Sequence, residues 1–236
     1  TAITLSNGQF CCLRCQFSRS GAWLKFNDEY FTNSCSELID FCDGSVKYKG
    51  IEGQFFYKPS MDIMLKAYFS LGDWTYNSNV KSTTFNEAGQ TLSEGDVAYL
   101  DGVKVGDAAQ TTGGLEMMYI VNDRSRIDLS LNHYADLYAR VNFSDDVFEN
   151  AGNSGTIKLP SHTLVDLSYT MDIPLKDNNL EARLGIFNLF DTKYIEEMTR
   201  NNPVTGDSNV WRGIDTSNRV DPGYLRTWTL GFKYKF

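Results

Sequence analysis

The stretch Arg226-Thr227-Trp228-Thr229-Leu230-Gly231-Phe232-Lys233-Tyr234-Lys235-Phe236 decides the fold. Counting back from Phe236, every second residue is Tyr234, Phe232, Leu230 and Trp228, while the other parity reads Lys235, Lys233, Gly231, Thr229 and Thr227. A period of two is the signature of a β-strand, whose successive side chains leave opposite faces of a sheet. One face of this strand is aromatic and apolar; the other is polar. Arg226 is the charged exception on the apolar parity, at the end that leads into the preceding loop.

The same alternation recurs upstream. In residues 163–173, Thr163, Val165, Leu167, Tyr169, Met171 and Ile173 oppose Leu164, Asp166, Ser168, Thr170 and Asp172. In residues 126–142, Ile127, Leu129, Leu131, His133, Ala135, Leu137, Ala139 and Val141 share one parity. That run predicts a strand far longer than the usual 5 or 6 residues. Less regular versions cover residues 46–58, 63–76, 108–121 and 181–198. In the last, Leu184 and Ile186 compete with Phe187 and Leu189 for the apolar parity, and a β-bulge would reconcile them.

The connections alternate in length. Short ones carry Pro59-Ser60-Met61-Asp62, Asn122-Asp123-Arg124-Ser125 and a turn over residues 174–180. Between them lie long polar segments over residues 77–107, 143–161 and 199–223. This rhythm is that of outer-membrane barrels, with short periplasmic turns and longer outer loops. No recurring period of a solenoid or propeller is present.

Composition narrows the class. The chain has 236 residues, 22 Lys+Arg against 30 Asp+Glu and a net charge of -8, which argues against a nucleic-acid partner. No uninterrupted apolar run approaches the roughly 20 residues of a spanning helix, whereas β-strands cross a bilayer in about 9 to 11 alternating residues. Lipid admits β structure only as a closed barrel, because every backbone polar group must be paired. A soluble antiparallel sandwich also alternates. The long strands, the long-short rhythm and the aromatic final strand favour the barrel. Thr1 follows no initiator Met or leader, as expected of a processed chain or of a piece of something longer.

Specific segments carry a resemblance. Asn188-Leu189-Phe190-Asp191-Thr192-Lys193-Tyr194 and the final strand resemble the corresponding motifs of TonB-dependent outer-membrane receptors. Gly50-Ile51-Glu52, Ser70-Leu71-Gly72-Asp73-Trp74, Val103-Lys104-Val105-Gly106-Asp107-Ala108 and Leu159-Pro160-Ser161-His162-Thr163-Leu164-Val165-Asp166 are similar to the Bacteroidetes branch of that family. The similarity covers residues 45–236. It implies an all-β fold: an antiparallel transmembrane β-barrel of about eight strands, forming the C-terminal part of a 22-stranded barrel. It further implies the outer membrane as location and uptake of a siderophore, vitamin or glycan, without catalysis or cofactor. The implied partners are outer-membrane lipid, the nutrient ligand, an N-terminal plug domain that this chain lacks and, through the plug, TonB. The barrel-assembly machinery would read Leu230, Phe232, Tyr234 and Phe236. A self-contained eight-stranded structural or adhesion barrel, a lipid-modifying enzyme and a soluble β-sandwich binding module are the rival readings.

Residues 1–44 depart from this pattern. All five cysteines (Cys11, Cys12, Cys15, Cys35 and Cys42) lie there. The segment allows one strand over residues 13–26 and a loop over 27–43, or a stretch of different origin. Cys12 and Cys15 have the spacing of half a zinc site, but Cys35 and Cys42 are too far apart to complete it in the usual form, so disulfides or free thiols are favoured. His133 and His162 read as structural or interfacial, since no G-x-S-x-G accompanies them. Asp101-Gly102, Asp107 and Asp145-Asp146 read as solvated turns in place of an EF-hand string. Trp211 and Arg212 are the ligand-contact candidates, because aromatic and Arg side chains dominate recognition. A polar row of Arg126, Asp128, Asp136, Arg140, Asp166, Asp172, Lys233 and Lys235 is expected to face water or the plug.

Overall fold

The computed structural model describes residues 45–235 except 87, 89, 143–144 and 176–177; within residues 1–44 it describes the backbone of five strands. Phe236, Cys12, Cys15 and Cys35 lie outside the described residues. Among the described residues the chain is all-β apart from one 3-10 turn, and every strand pair is antiparallel.

Eight strands form the main sheet: β1 (Ile3–Cys11), β2 (Ser45–Tyr57), β3 (Ile63–Tyr76), β4 (Thr111–Asn122), β5 (Ser125–Ala135), β6 (His162–Leu175), β7 (Asn178–Phe187) and β8 (Thr227–Lys235). Each pairs with the next in chain order, a simple meander whose two edges are β1 and β8. The strands over 46–58, 63–76 and 163–173 thus lie where their alternation predicts them. The eighth strand comes from Ile3–Cys11. The expected strand over 13–26 does not join the sheet; its described parts, Phe17–Arg19 and Ala22–Leu24, pair with each other.

Three connections at one end of the sheet are short: residues 58–62, the Asp123-Arg124 turn and the interval between Leu175 and Asn178. The long connections all leave from the other end, where they build a cap. The long polar segment over 77–107 is a hairpin, Val80–Asn86 with Thr91–Ala98, extended by Glu37–Cys42 and Thr32–Asn33. Among the described residues of the 143–161 segment lies a 3-10 turn at Asp146–Glu149. Residues 199–223 are stapled by two small ladders: Val210–Trp211 with Ile214–Asp215, and Val220–Pro222 with Ile195–Met198.

Two expectations are corrected here. The alternation over 126–142 is one pattern but two environments. β5 stops at Ala135, and Asp136 takes φ 52, turning the chain out of the sheet. Thr111 Oγ1 and Lys158 Nζ each donate to the Asp136 carboxylate at 2.6 Å, fixing that turn. Leu137, Ala139 and Val141 then alternate into the cap interior. The second concerns residues 181–198. The β6–β7 and β7–β8 registers contain no bulge, and Leu184 and Ile186 take the apolar face while Arg183 takes the polar one. β7 ends at Phe187, which pairs with Thr227 on the same parity as Arg183; Asn188 adopts φ 50, and Leu189 lies in the turn beyond it.

The buried hydrophobic residues sit in the cap. One cluster contains Val80, Leu100, Val103, Val141 and Phe148; the other contains Leu137, Ala139, Leu159, Ile195, Met198 and Ile214. Gly106 lets two cap segments touch, since a Cβ there would stand 2.2 Å from the Ala139 carbonyl oxygen. Among the described residues, no buried hydrophobic belongs to the main sheet.

Candidate functional site

Register turns the alternation into continuous surfaces. Tyr57, Leu65, Met117, Leu129, Leu167, Ile186 and Trp228 are successive cross-strand partners from β2 to β8. The next row runs Ile63, Tyr119, Ile127, Tyr169, Leu184 and Leu230. Such partners lie about 4.5–5.5 Å apart, so these rows fuse into one apolar face. That face is uncovered: Trp228, Leu230 and Phe232 are 62%, 65% and 65% exposed.

The opposite face is mostly polar, with Phe56, Met64 and Phe187 exposed on it, and is best enclosed along β6. Along β6, Ser168 and Thr170 are 8% and 6% exposed, while their apolar neighbours Tyr169 and Met171 are each 38% exposed. This inverts the order of a water-soluble sheet, which hides its apolar side. A trough of about 550 Å³ opens on this face, lined by Lys66, Glu116, Asp128, Asp166 and Arg183 together with the apolar side chains of Phe56, Met64, Met118 and Phe187. Lys66 Nζ donates to Glu116 Oε1 at 2.9 Å. Arg126 Nε donates to Asp128 Oδ2 at 3.3 Å, and Arg183 Nη2 donates to Ser168 Oγ at 3.2 Å. Toward the cap, Tyr68 donates to Asn132 Oδ1 and lays its ring over Gly114, where a Cβ would stand 2.5 Å from it.

The sequence located part of this polar surface. Arg126, Asp128 and Asp166 lie on it, and Asp172 and Lys233 flank Glu181 in register. Asp136 and Arg140 do not, because the chain has left the sheet there. Asp136 pairs with Lys158, while Arg140 faces Asp107 at 3.6 Å and Glu197 at 3.9 Å. The Lys158 ammonium holds the Asp136 carboxyl below the usual carboxylate range, helped by the Thr111 hydroxyl. Ser168 lies on the polar parity expected of it, whereas Lys66, Glu116 and Arg183 were missed. Their strands alternate irregularly, and only the register brings them together.

Trp211 and Arg212 stand at the tip of a two-residue hairpin turn, with Arg212 at φ 47 and Gly213 at φ 87. The Arg212 guanidinium lies 5.1 Å from the Trp211 ring centroid, and Trp211 remains 39% exposed. Ile214, directly after this turn, is 3% exposed in the cap core, so the tip is rigidly mounted. Leu230, Phe232 and Tyr234 share the apolar side of edge strand β8. His162 is 9% exposed between the rings of Tyr134 at 5.1 Å and Tyr194 at 4.3 Å. His133 Nδ1 lies 2.9 Å from Thr163 Oγ1. Asp101 accompanies the Gly102 turn at φ 80, and Asp107 itself adopts φ 67. Among the described residues, no three His, Cys, Asp or Glu side chains are grouped as a metal ion would require.

Asn201 is a further residue that the sequence does not announce. It is 1% exposed, and its side chain donates to the Arg140 carbonyl and the Asp145 carboxylate while accepting from the Ile157 backbone. Burial pushes the Asp145 carboxyl up, against the hydrogen bonds from Asn201 that pull it down. Asn201-Asn202-Pro203 reads locally as an ordinary turn. No known protein-family model matches the chain, and no curated protein matches it in sequence.

Proposed function

We propose that this chain is the C-terminal part of a TonB-dependent outer-membrane receptor, its sheet a segment of a transmembrane β-barrel that serves nutrient uptake. The observation that carries the reading is the uncovered apolar face running from β2 to β8, with the buried hydrophobic residues confined to the cap. A sandwich would lay a second sheet about 10 Å above such a face. Hydrocarbon is the other medium that relieves its exposure, at about 25 cal/mol per Å² of apolar surface removed from water. The dimensions agree. From Val165 to Ile173, β6 rises about 26 Å along its axis, or about 20 Å at a tilt of about 40°, near the ~25 Å apolar band of outer-membrane barrels.

The segment behind the family resemblance also has a physical role. Asn188 Nδ2 donates to the carbonyls of Thr192 and Tyr224, and the Asp191 carboxylate accepts from the Arg226 backbone. These bonds fix where β7 leaves the sheet and β8 returns. Among the described residues the outer edges of β1 and β8 have no partner strand, and in this reading the rest of a 22-stranded receptor barrel supplies it. In this reading the trough with its Lys66, Glu116, Asp128, Asp166 and Arg183 side chains faces the lumen, and Trp211 and Arg212, on the loop side, are positioned to meet the nutrient.

Brominated-lipid quenching of single-tryptophan variants in bilayers tests the membrane placement. Trp228 is expected to be quenched by bromine on the acyl chains, and Trp74, on the polar parity of β3, to be spared. Equal quenching of both, or a monodisperse protein without detergent, overturns the reading. A plug-coding region upstream of Thr1 in the parent gene, and loss of energy-dependent uptake when that gene is deleted, separate a receptor from a self-contained barrel.

A further inference from the structure

The charged side chains of the trough do not all find partners. Lys66 pairs with Glu116, and Asp128 with Arg126 two residues before it. Arg183 and Asp166 remain, one of each sign, and among the described residues neither has an opposite charge at ion-pair distance.

Their places are set by register and hydrogen bonds. Asp166, Ser168 and Thr170 share the polar side of β6, with Gly185 opposite Ser168 and Arg183 opposite Thr170. Because Gly185 carries no side chain, the Arg183 guanidinium reaches along β7 and donates from Nη2 to Ser168 Oγ at 3.2 Å. Ser168 is 8% exposed, and its hydroxyl donates to Asp128 Oδ2 at 3.4 Å, so the guanidinium is anchored to an ordered group. Asp166 stands one step nearer the cap, where its Oδ1 accepts from the Asn188 backbone at 2.9 Å. Side chains two residues apart on one strand face are separated by about 7 Å, which keeps the two charges apart within one trough. The same trough exposes apolar side chains on a mostly polar face: Phe187, next to Asn188, at 47%, and Phe56 and Met64, from β2 and β3, at 67% and 41%. Apolar surface beside a few convergent polar groups is the usual composition of a small-molecule site.

We infer that Asp166 and Arg183 form a binding site for a free α-amino acid with a large apolar side chain: its ammonium on the Asp166 carboxylate, its carboxylate on the Arg183 guanidinium, its side chain against Phe187. An ammonium and a carboxylate on one carbon, each about 2.8 Å from its partner, bridge a gap of that size. Arg presents a planar fork matched to a carboxylate. A cation or an anion alone would leave one of the two protein charges unpaired. The site lies on the face opposite the proposed lipid contact, so it stands whether or not that contact is made.

The test titrates the full chain, folded in detergent micelles, with L-phenylalanine, N-acetyl-L-phenylalanine and L-phenylalaninamide by isothermal calorimetry. Phenylalanine is expected to bind about ten-fold or more tightly than either capped form. Asp166→Asn keeps an acceptor for the Asn188 N–H and is expected to abolish the preference over the N-acetyl form. Arg183→Gln keeps a donor for Ser168 and is expected to abolish the preference over the amide. Equal affinity for the three ligands, absence of phenylalanine binding up to about 10 mM, or unchanged selectivity in variants whose circular dichroism matches the parent overturns the site.

Discussion

Asn188 shows how much one side chain decides. It holds φ 50, which Asn tolerates better than other non-glycine residues, and its amide closes three bonds around the β7–β8 connection. Asn188→Ala leaves those partners unpaired and is expected to cost about 2–4 kcal/mol in chemical denaturation, with Asn188→Gly removing the backbone strain but not that loss. Asp145 behaves differently. Burial raises its carboxyl above the ordinary value, with Asp146 adding to the rise and Arg200 opposing it. A raised acid favours the fold most while protonated, so its contribution is full below the ordinary carboxylate value and declines as pH rises through the raised one. Asp145→Asn keeps an acceptor for Asn201 and removes the charge. Thermal unfolding of that variant is expected to lose the part of the downward slope with pH that starts near pH 4, while Asp145→Ala loses the two bonds from Asn201.

At the scale of elements, the adjacent residues Leu129 and Ser130 test the two faces. Leu129 lies in the apolar row between Met117 and Leu167, and Ser130 lies between Glu116 and Asp166. In bilayer-reconstituted protein, Leu129→Lys is expected to destabilise by about 2–4 kcal/mol, and Ser130→Lys to be tolerated beside two carboxylates. Reversion of that order in urea titrations contradicts the assignment of faces. The strand over residues 163–173 was legible because its apolar and polar residues alternate without interruption along the stretch that pairs within the sheet. The ends of β5 and β7 were not. Leu137, Ala139 and Val141 continue the period of two because an extended segment threading the cap also buries every second residue. Periodicity reports extension and sidedness; it does not report which surface the side meets.

At the scale of the molecule, stability divides into a cap with buried cores and a sheet whose apolar side needs an external medium. Phe148 is 0% exposed in one cap core. Phe148→Ala is expected to cost about 3–5 kcal/mol locally. Hydrogen exchange should quicken across the Val80–Asn86 and Thr91–Ala98 hairpin while the β5–β6 ladder stays protected; uniform loss of protection would show that cap and sheet unfold as one. The amino-acid sequence by itself determined that the chain is antiparallel β, where most of the long strands run and which side chains share a face, because these follow from local alternation and turn chemistry. Only the tertiary structure decided that Ile3–Cys11 supplies the eighth strand, that Asn201 clasps the cap, and that Lys66, Glu116, Asp166 and Arg183 line one trough. Those outcomes depend on register between segments distant in the chain, and register is set by the summed fit of whole faces, which no short stretch of residues contains.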